Sequence, residues 1–95
     1  MKYNTWNIYS AVLLMETYER ARKHPQKRSA EIIQLSQLLR KRAGQGKPYH
    51  GVFGSVADIN YQLGKVESQM TAGRRGLPGA LPQAIMKAVK MYHFF

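Results

Sequence analysis

Apolar residues recur at helical spacing in four stretches of this chain, separated by intervals rich in glycine and proline. In residues 7–23, Ile8, Ala11, Val12, Met15 and Tyr18 follow the i, i+3, i+4, i+7 rule, and Leu13 and Leu14 widen the stripe, which predicts a deeply packed helix. Asn7 is placed to cap it and Pro25 to end it. A second helix is predicted over 29–43, with Ser29 as cap, Glu31 in the first turn, Ile32, Leu35, Leu38 and Leu39 inside, and Gly44 as the stop. A third is predicted over 55–68. Ser55 caps it, Asp58 stands three residues on in place of the usual capping-box Glu, and Val56, Ile59, Leu63 and Val66 share a narrow arc. The opposite side carries Tyr61, Lys65 and Ser68 and reads as solvent-facing. Gly64 costs this helix about 1 kcal/mol relative to Ala, so it marks a close approach, in the plainest case that of another helix. The fourth helix is predicted over 82–93, opened by Pro82, with Ile85, Val89 and Tyr92 inward, Met86 at the edge, and Lys87 and Lys90 in water.

The connections are 44–54 (GQGKPYHGVFG), where Tyr49, Val52 and Phe53 are expected to pin the loop to the core, and 70–82 (MTAGRRGLPGALP). No stretch alternates with strand period over a useful length. The fold class that follows is all-α: a single four-helix domain, helix-turn-helix-like, with room for at most a very short β pair around Tyr49–Phe53 and Leu77.

Charge changes this picture from a generic helical domain to one with a partner. Fifteen Lys and Arg stand against five Asp and Glu among 95 residues, a formal charge of +10. Such a balance favours a polyanion, since each phosphate neutralised releases condensed counterions. The cations are clustered. Arg20, Arg22, Lys23, Lys27 and Arg28 surround the first connection, Arg40, Lys41, Arg42 and Lys47 the second, and Arg74 and Arg75 sit between glycines in the third. Cations near helix C-termini add about 0.3–1 kcal/mol each, which accounts for one or two per helix but not for five within nine residues.

Other chemistry is not indicated. Without cysteine there is no disulfide and no Cys-based zinc site, which fits a reducing compartment. His24, His50 and His93 share no metal-ligand spacing, and the acids form no general acid/base pair. GQGKPYHG has the form GxGxxxxG but lacks a preceding strand and a GK[ST] ending, so it is not a nucleotide loop. The start of the chain does not read as a signal peptide and no stretch can span a bilayer. The expectation is a cytoplasmic non-enzyme with no cofactor, no metal and no membrane contact.

Short connections make successive helices antiparallel. The first and third connections then share one end of the bundle and the second lies at the other, beside the first amides of the third helix. That helix would lie between two phosphate-gripping patches, as a recognition helix does on a duplex. The phosphate contacts expected are Arg40, Lys41, Arg42, Lys47, Arg74 and Arg75; the groove contacts expected are Tyr61, Gln62 and Lys65.

The order of several short motifs also resembles a helical domain at the N-terminal side of many bacterial HNH restriction-type endonucleases. Leu35-Ser36 with Leu39-Arg40 matches that domain's LS..LR. Ser55-Val56-Ala57 and Val66-Glu67-Ser68 match the ends of its second element, and Gly73-Arg74-Arg75-Gly76-Leu77 matches its G+KGL. The resemblance covers about residues 6–92. It departs where the family's Met-Lys is Asp58-Ile59 and its Asn-Phe is Gln62-Leu63. It implies a module that reads double-stranded DNA for a nuclease domain in the same or another chain. Two other classes stay open: an RNA-binding accessory protein, which needs Tyr49 and Phe53 exposed for stacking, and a phage or bacterial protein-interaction module with an acidic partner.

Overall fold

In the computed structural model, which describes residues 5–45, 47 and 49–93, four helices enclose one apolar core: α1 (Ile8–Lys23), α2 (Arg28–Gly44), α3 (Val56–Met70) and α4 (Gln83–His93), with a 3₁₀ turn at Pro25–Lys27. Among the described residues there is no strand. The radius of gyration is 12.8 Å, against about 12 Å for a compact chain of this length. No described helix is long and apolar enough to cross a membrane. Gly46 and Pro48 of the 44–54 loop lie outside the described residues.

The helices form for the reasons their patterns suggest. Asn7 Oδ1 accepts the Ser10 N–H at 3.0 Å and Ser10 Oγ accepts the Asn7 N–H at 3.0 Å, a reciprocal cap on α1. Ser55 Oγ accepts the Asp58 N–H at 3.0 Å at the start of α3. The core is built on Ala11, Leu14, Met15 and Tyr18 of α1, Ile32, Leu35 and Leu39 of α2, Ile59, Leu63 and Val66 of α3, and Ile85, Ala88 and Val89 of α4. α1 packs against each of the other three helices, so its buried face is centred on Leu14 rather than on the Ile8–Val12 edge, and Ile8 is exposed.

Several local expectations are corrected. α2 begins at Arg28 with Lys27 as its N-cap, because the 3₁₀ turn already winds the chain and leaves Ser29 no cap to provide. Gly44 is the last helical residue and Gln45 takes the left-handed conformation instead (φ 48°). Leu38 and Val56 are largely exposed. In the loop, Phe53 is buried with its ring edge-on to Trp6 at 5.1 Å and Tyr49 is half-buried, but Val52 is 78% exposed and pins nothing. Residues 45–55 separate α2 from α3, longer than the roughly 3–4-residue turn of a helix-turn-helix.

Candidate nucleic-acid interface

The five carboxylates set the electrostatics, and each is engaged within the fold. Glu31 accepts from Arg20 Nε at 2.7 Å, with Glu16 also beside Arg20 at 4.0 Å, and Glu19 accepts from Arg22 at 2.8 Å. Glu67 accepts the Tyr18 hydroxyl at 3.1 Å. Asp58 Oδ2 accepts the Gly54 N–H at 3.0 Å and the Trp6 indole N–H at 3.2 Å, while Oδ1 accepts from Gln62 at 3.3 Å. Among the described residues the ion pairs draw only on Arg20 and Arg22.

At the end built by the second connection, arginines serve the fold. Arg40 donates from Nη1 to the Gly51 carbonyl at 2.8 Å and from Nη2 to the Tyr49 carbonyl at 2.7 Å, with its guanidinium 5.1 Å from the Tyr49 ring centroid. Arg42 stacks on Tyr9 at 4.2 Å. Lys41 and Lys47 are exposed. The seat for a phosphate expected at the start of α3 is served from inside: Asp58 lies there, and its carboxylate repels an anion while satisfying the local amide of Gly54. Arg40 and Arg42 thus have structural duties that the expected phosphate role did not include.

The solvent-facing side of α3 is corrected more strongly. Lys65 and Gln62 are buried, at 6% and 7% exposure, and only Tyr61 of the expected groove set is open, at 54%. Gln62 donates to Asp58 within the helix, and Lys65 is covered by the 71–82 segment, which folds over the second half of the helix. The Leu77 N–H donates to the Gly64 carbonyl at 2.9 Å, and the Leu77 side chain occupies the notch that Gly64 leaves. Lys65 Nζ donates to the Ala80 carbonyl at 2.8 Å and lies 4.4 Å from the Tyr61 ring centroid. Gly64 does mark a close approach, but of a loop leucine rather than of another helix.

That clamp presents the arginine pair. Thr71 Oγ1 accepts the Arg75 N–H at 3.0 Å, and Gly76 (φ 84°) passes so near the Gly64 carbonyl that a Cβ would overlap it. Between these two anchors Arg74 and Arg75 stand exposed, and among the described residues their guanidiniums make no hydrogen bond or ion pair. Beside them runs a trough with two lobes, of about 220 and 390 Å³, which share Tyr18, Arg22, Glu67 and Arg75. Arg28 and the 3₁₀ turn wall the smaller lobe, and Met70 and Thr71 the larger. Arg28 also donates to Asn60 at 3.3 Å, which ties the start of α2 to α3. Burial first, and the neighbouring Glu67 second, push the Tyr18 hydroxyl up to about 12, so it remains a donor at any physiological pH.

The structure thus joins the first and third connections at one end. Arg74 and Arg75 belong there, with Arg22 and Arg28, which the charge clusters had flagged but not the expected contacts. Tyr18 and Glu67 line this trough without having been among the expected contacts, since Tyr18 read as core and Glu67 entered only as part of a motif. Among the described residues no group of His, Asp or Glu could hold a metal ion. No family model, curated protein or solved structure matches the chain.

Proposed function

We propose that this chain is a non-catalytic module that binds duplex DNA by its phosphate backbone, with Arg74 and Arg75 as the leading contacts and Arg22, Lys23, Lys27 and Arg28 completing the grip. The observation that carries the reading is the convergence of cations from two distant segments on one end, while all five carboxylates are occupied within the fold. Lys41 and Lys47 give a second, weaker contact at the other end. Tyr61, next to Asn60 on the open half of α3, is the remaining candidate for a groove contact; Gln62 and Lys65 are withdrawn from that role. Association with a restriction-type nuclease follows from the motif resemblance, and the place of action would be the cytoplasm, where DNA is accessible.

Duplex DNA is preferred over single-stranded RNA because the stacking platform that RNA requires is closed. Phe53 is buried against Trp6, and the Tyr49 ring is covered by Arg40. The test is a fluorescence titration of duplex DNA against salt. A steep fall of log K with log salt is expected, and Arg74→Ala with Arg75→Ala should flatten the slope by about 2 while changing stability by less than about 0.5 kcal/mol. Affinity indifferent to salt, or a pull-down of an acidic protein with no DNA affinity at physiological salt, would reject the proposal.

A further inference from the structure

We infer that the chain bridges two duplexes, one at each pole of the bundle; this rests on the duplex-binding reading above. A count that includes every carboxylate gives the two poles the same net charge. Around the first and third connections, seven cations stand against Glu16, Glu19, Glu31 and Glu67, which leaves three positive charges. Around the second, Arg40, Lys41, Arg42 and Lys47 stand against Asp58 alone, which again leaves three. Arg40 and Arg42 hold the fold at that pole, so the contacts it offers are Lys41 and Lys47. Both are exposed, and among the described residues their ammonium groups make no hydrogen bond or ion pair.

The waist between the poles decides how this charge is used. Tyr9 meets Arg42 at one pole and Arg22 lines the trough at the other, so the Tyr9–Arg22 stretch of α1, about 20 Å long at 1.5 Å per residue, separates them. No Lys or Arg occurs in residues 8–19, 29–39 or 48–64, and Lys65 is turned to the Ala80 carbonyl. What α2 and α3 expose along the waist is Ile33, Leu38, Val56 and Tyr61. A duplex laid lengthwise on that flank would press hydrated phosphates against apolar surface, with no cation there to neutralise them. Two cationic poles across a cation-free flank therefore suit two polyanions. The one lengthwise alternative runs along α4, where Lys87 and Lys90 are exposed.

The test uses the full chain and two short duplexes of one sequence, one anchored on beads and one free and fluorescent. The chain should make the beads capture the free duplex, and capture should fall again when the chain is in excess, because each duplex is then held by the stronger pole of its own copy. Lys41→Ala with Lys47→Ala should lower capture about tenfold while changing the affinity for a single duplex, read by anisotropy, by less than about twofold. Salt-dependent binding of a single duplex without capture at any ratio overturns this inference and leaves duplex binding intact. Capture that survives the Lys41 and Lys47 changes overturns it too, since paired copies of the chain then make the bridge. Lys87→Ala with Lys90→Ala weakening single-duplex binding as much as the Arg74 and Arg75 changes would lay one duplex along α4, against a bridge. Binding of no duplex overturns both proposals.

Discussion

Both ends of this bundle carry clustered cations, four around the second connection and seven around the first and third, and use them differently. At the 40–54 end, Arg40 is spent on two backbone carbonyls and a tyrosine ring, and Arg42 on Tyr9. At the other end, Arg74 and Arg75 project from a loop held at both sides of the pair, by Thr71 before it and by Gly76 and Leu77 after it. A guanidinium that already serves the fold has less to offer a ligand, since its donors cannot turn to a phosphate without releasing the loop. Counting charges along a sequence cannot distinguish these cases; the location of carbonyls and rings does.

The comparison can be broken at its strongest point by Gly76→Ala. Its φ of 84° and the overlap of a Cβ with the Gly64 carbonyl should cost about 3 kcal/mol or detach the loop. Chemical denaturation measures the first outcome, and rapid amide exchange at Leu77 with slow exchange kept in α1 reports the second. Arg40→Ala should lower stability by about 2 kcal/mol through its two carbonyl bonds, while leaving the salt slope of DNA binding unchanged. A slope reduced as much as by the Arg74 and Arg75 changes would erase the distinction between the ends.

A smaller effect sharpens the trough. The Tyr18 hydroxyl is raised from 10.0 to about 12, mainly by burial and then by Glu67. A raised value means the neutral form is favoured by folding, so this contribution is complete below pH 10 and is lost as pH climbs through 12. Because the hydroxyl borders an open trough, the difference between the native chain and Tyr18→Phe should be about 1 kcal/mol over that window. Denaturation midpoints measured at pH 9 and pH 12 test it; a constant difference would remove the Tyr18–Glu67 pair from the floor of the site.

Much of the fold was legible because its causes are local. The apolar period marks all four helices, and Asn7 and Ser55 cap where their side chains can reach the next free amides. The wet face of α3 was misread for a non-local reason. Gln62 and Lys65 are both buried, and the glycine-rich segment 71–82 covers Lys65 through a contact 15 residues away in sequence, at Ala80, while Gln62 donates to Asp58 of its own helix. Gly64 carried the one local hint of that cover, without the identity of what approaches it.

What the sequence determined by itself is the helical class, the caps of α1 and α3, and a surplus of cations grouped at the connections, because periodicity, capping and charge are properties of neighbours along the chain. Only the tertiary structure decided which cations are committed to carbonyls and rings, which face of α3 meets water, and that Arg22 and Arg28 share a trough with Arg75. Those outcomes depend on which distant groups arrive first at each donor and acceptor, and that is set by packing.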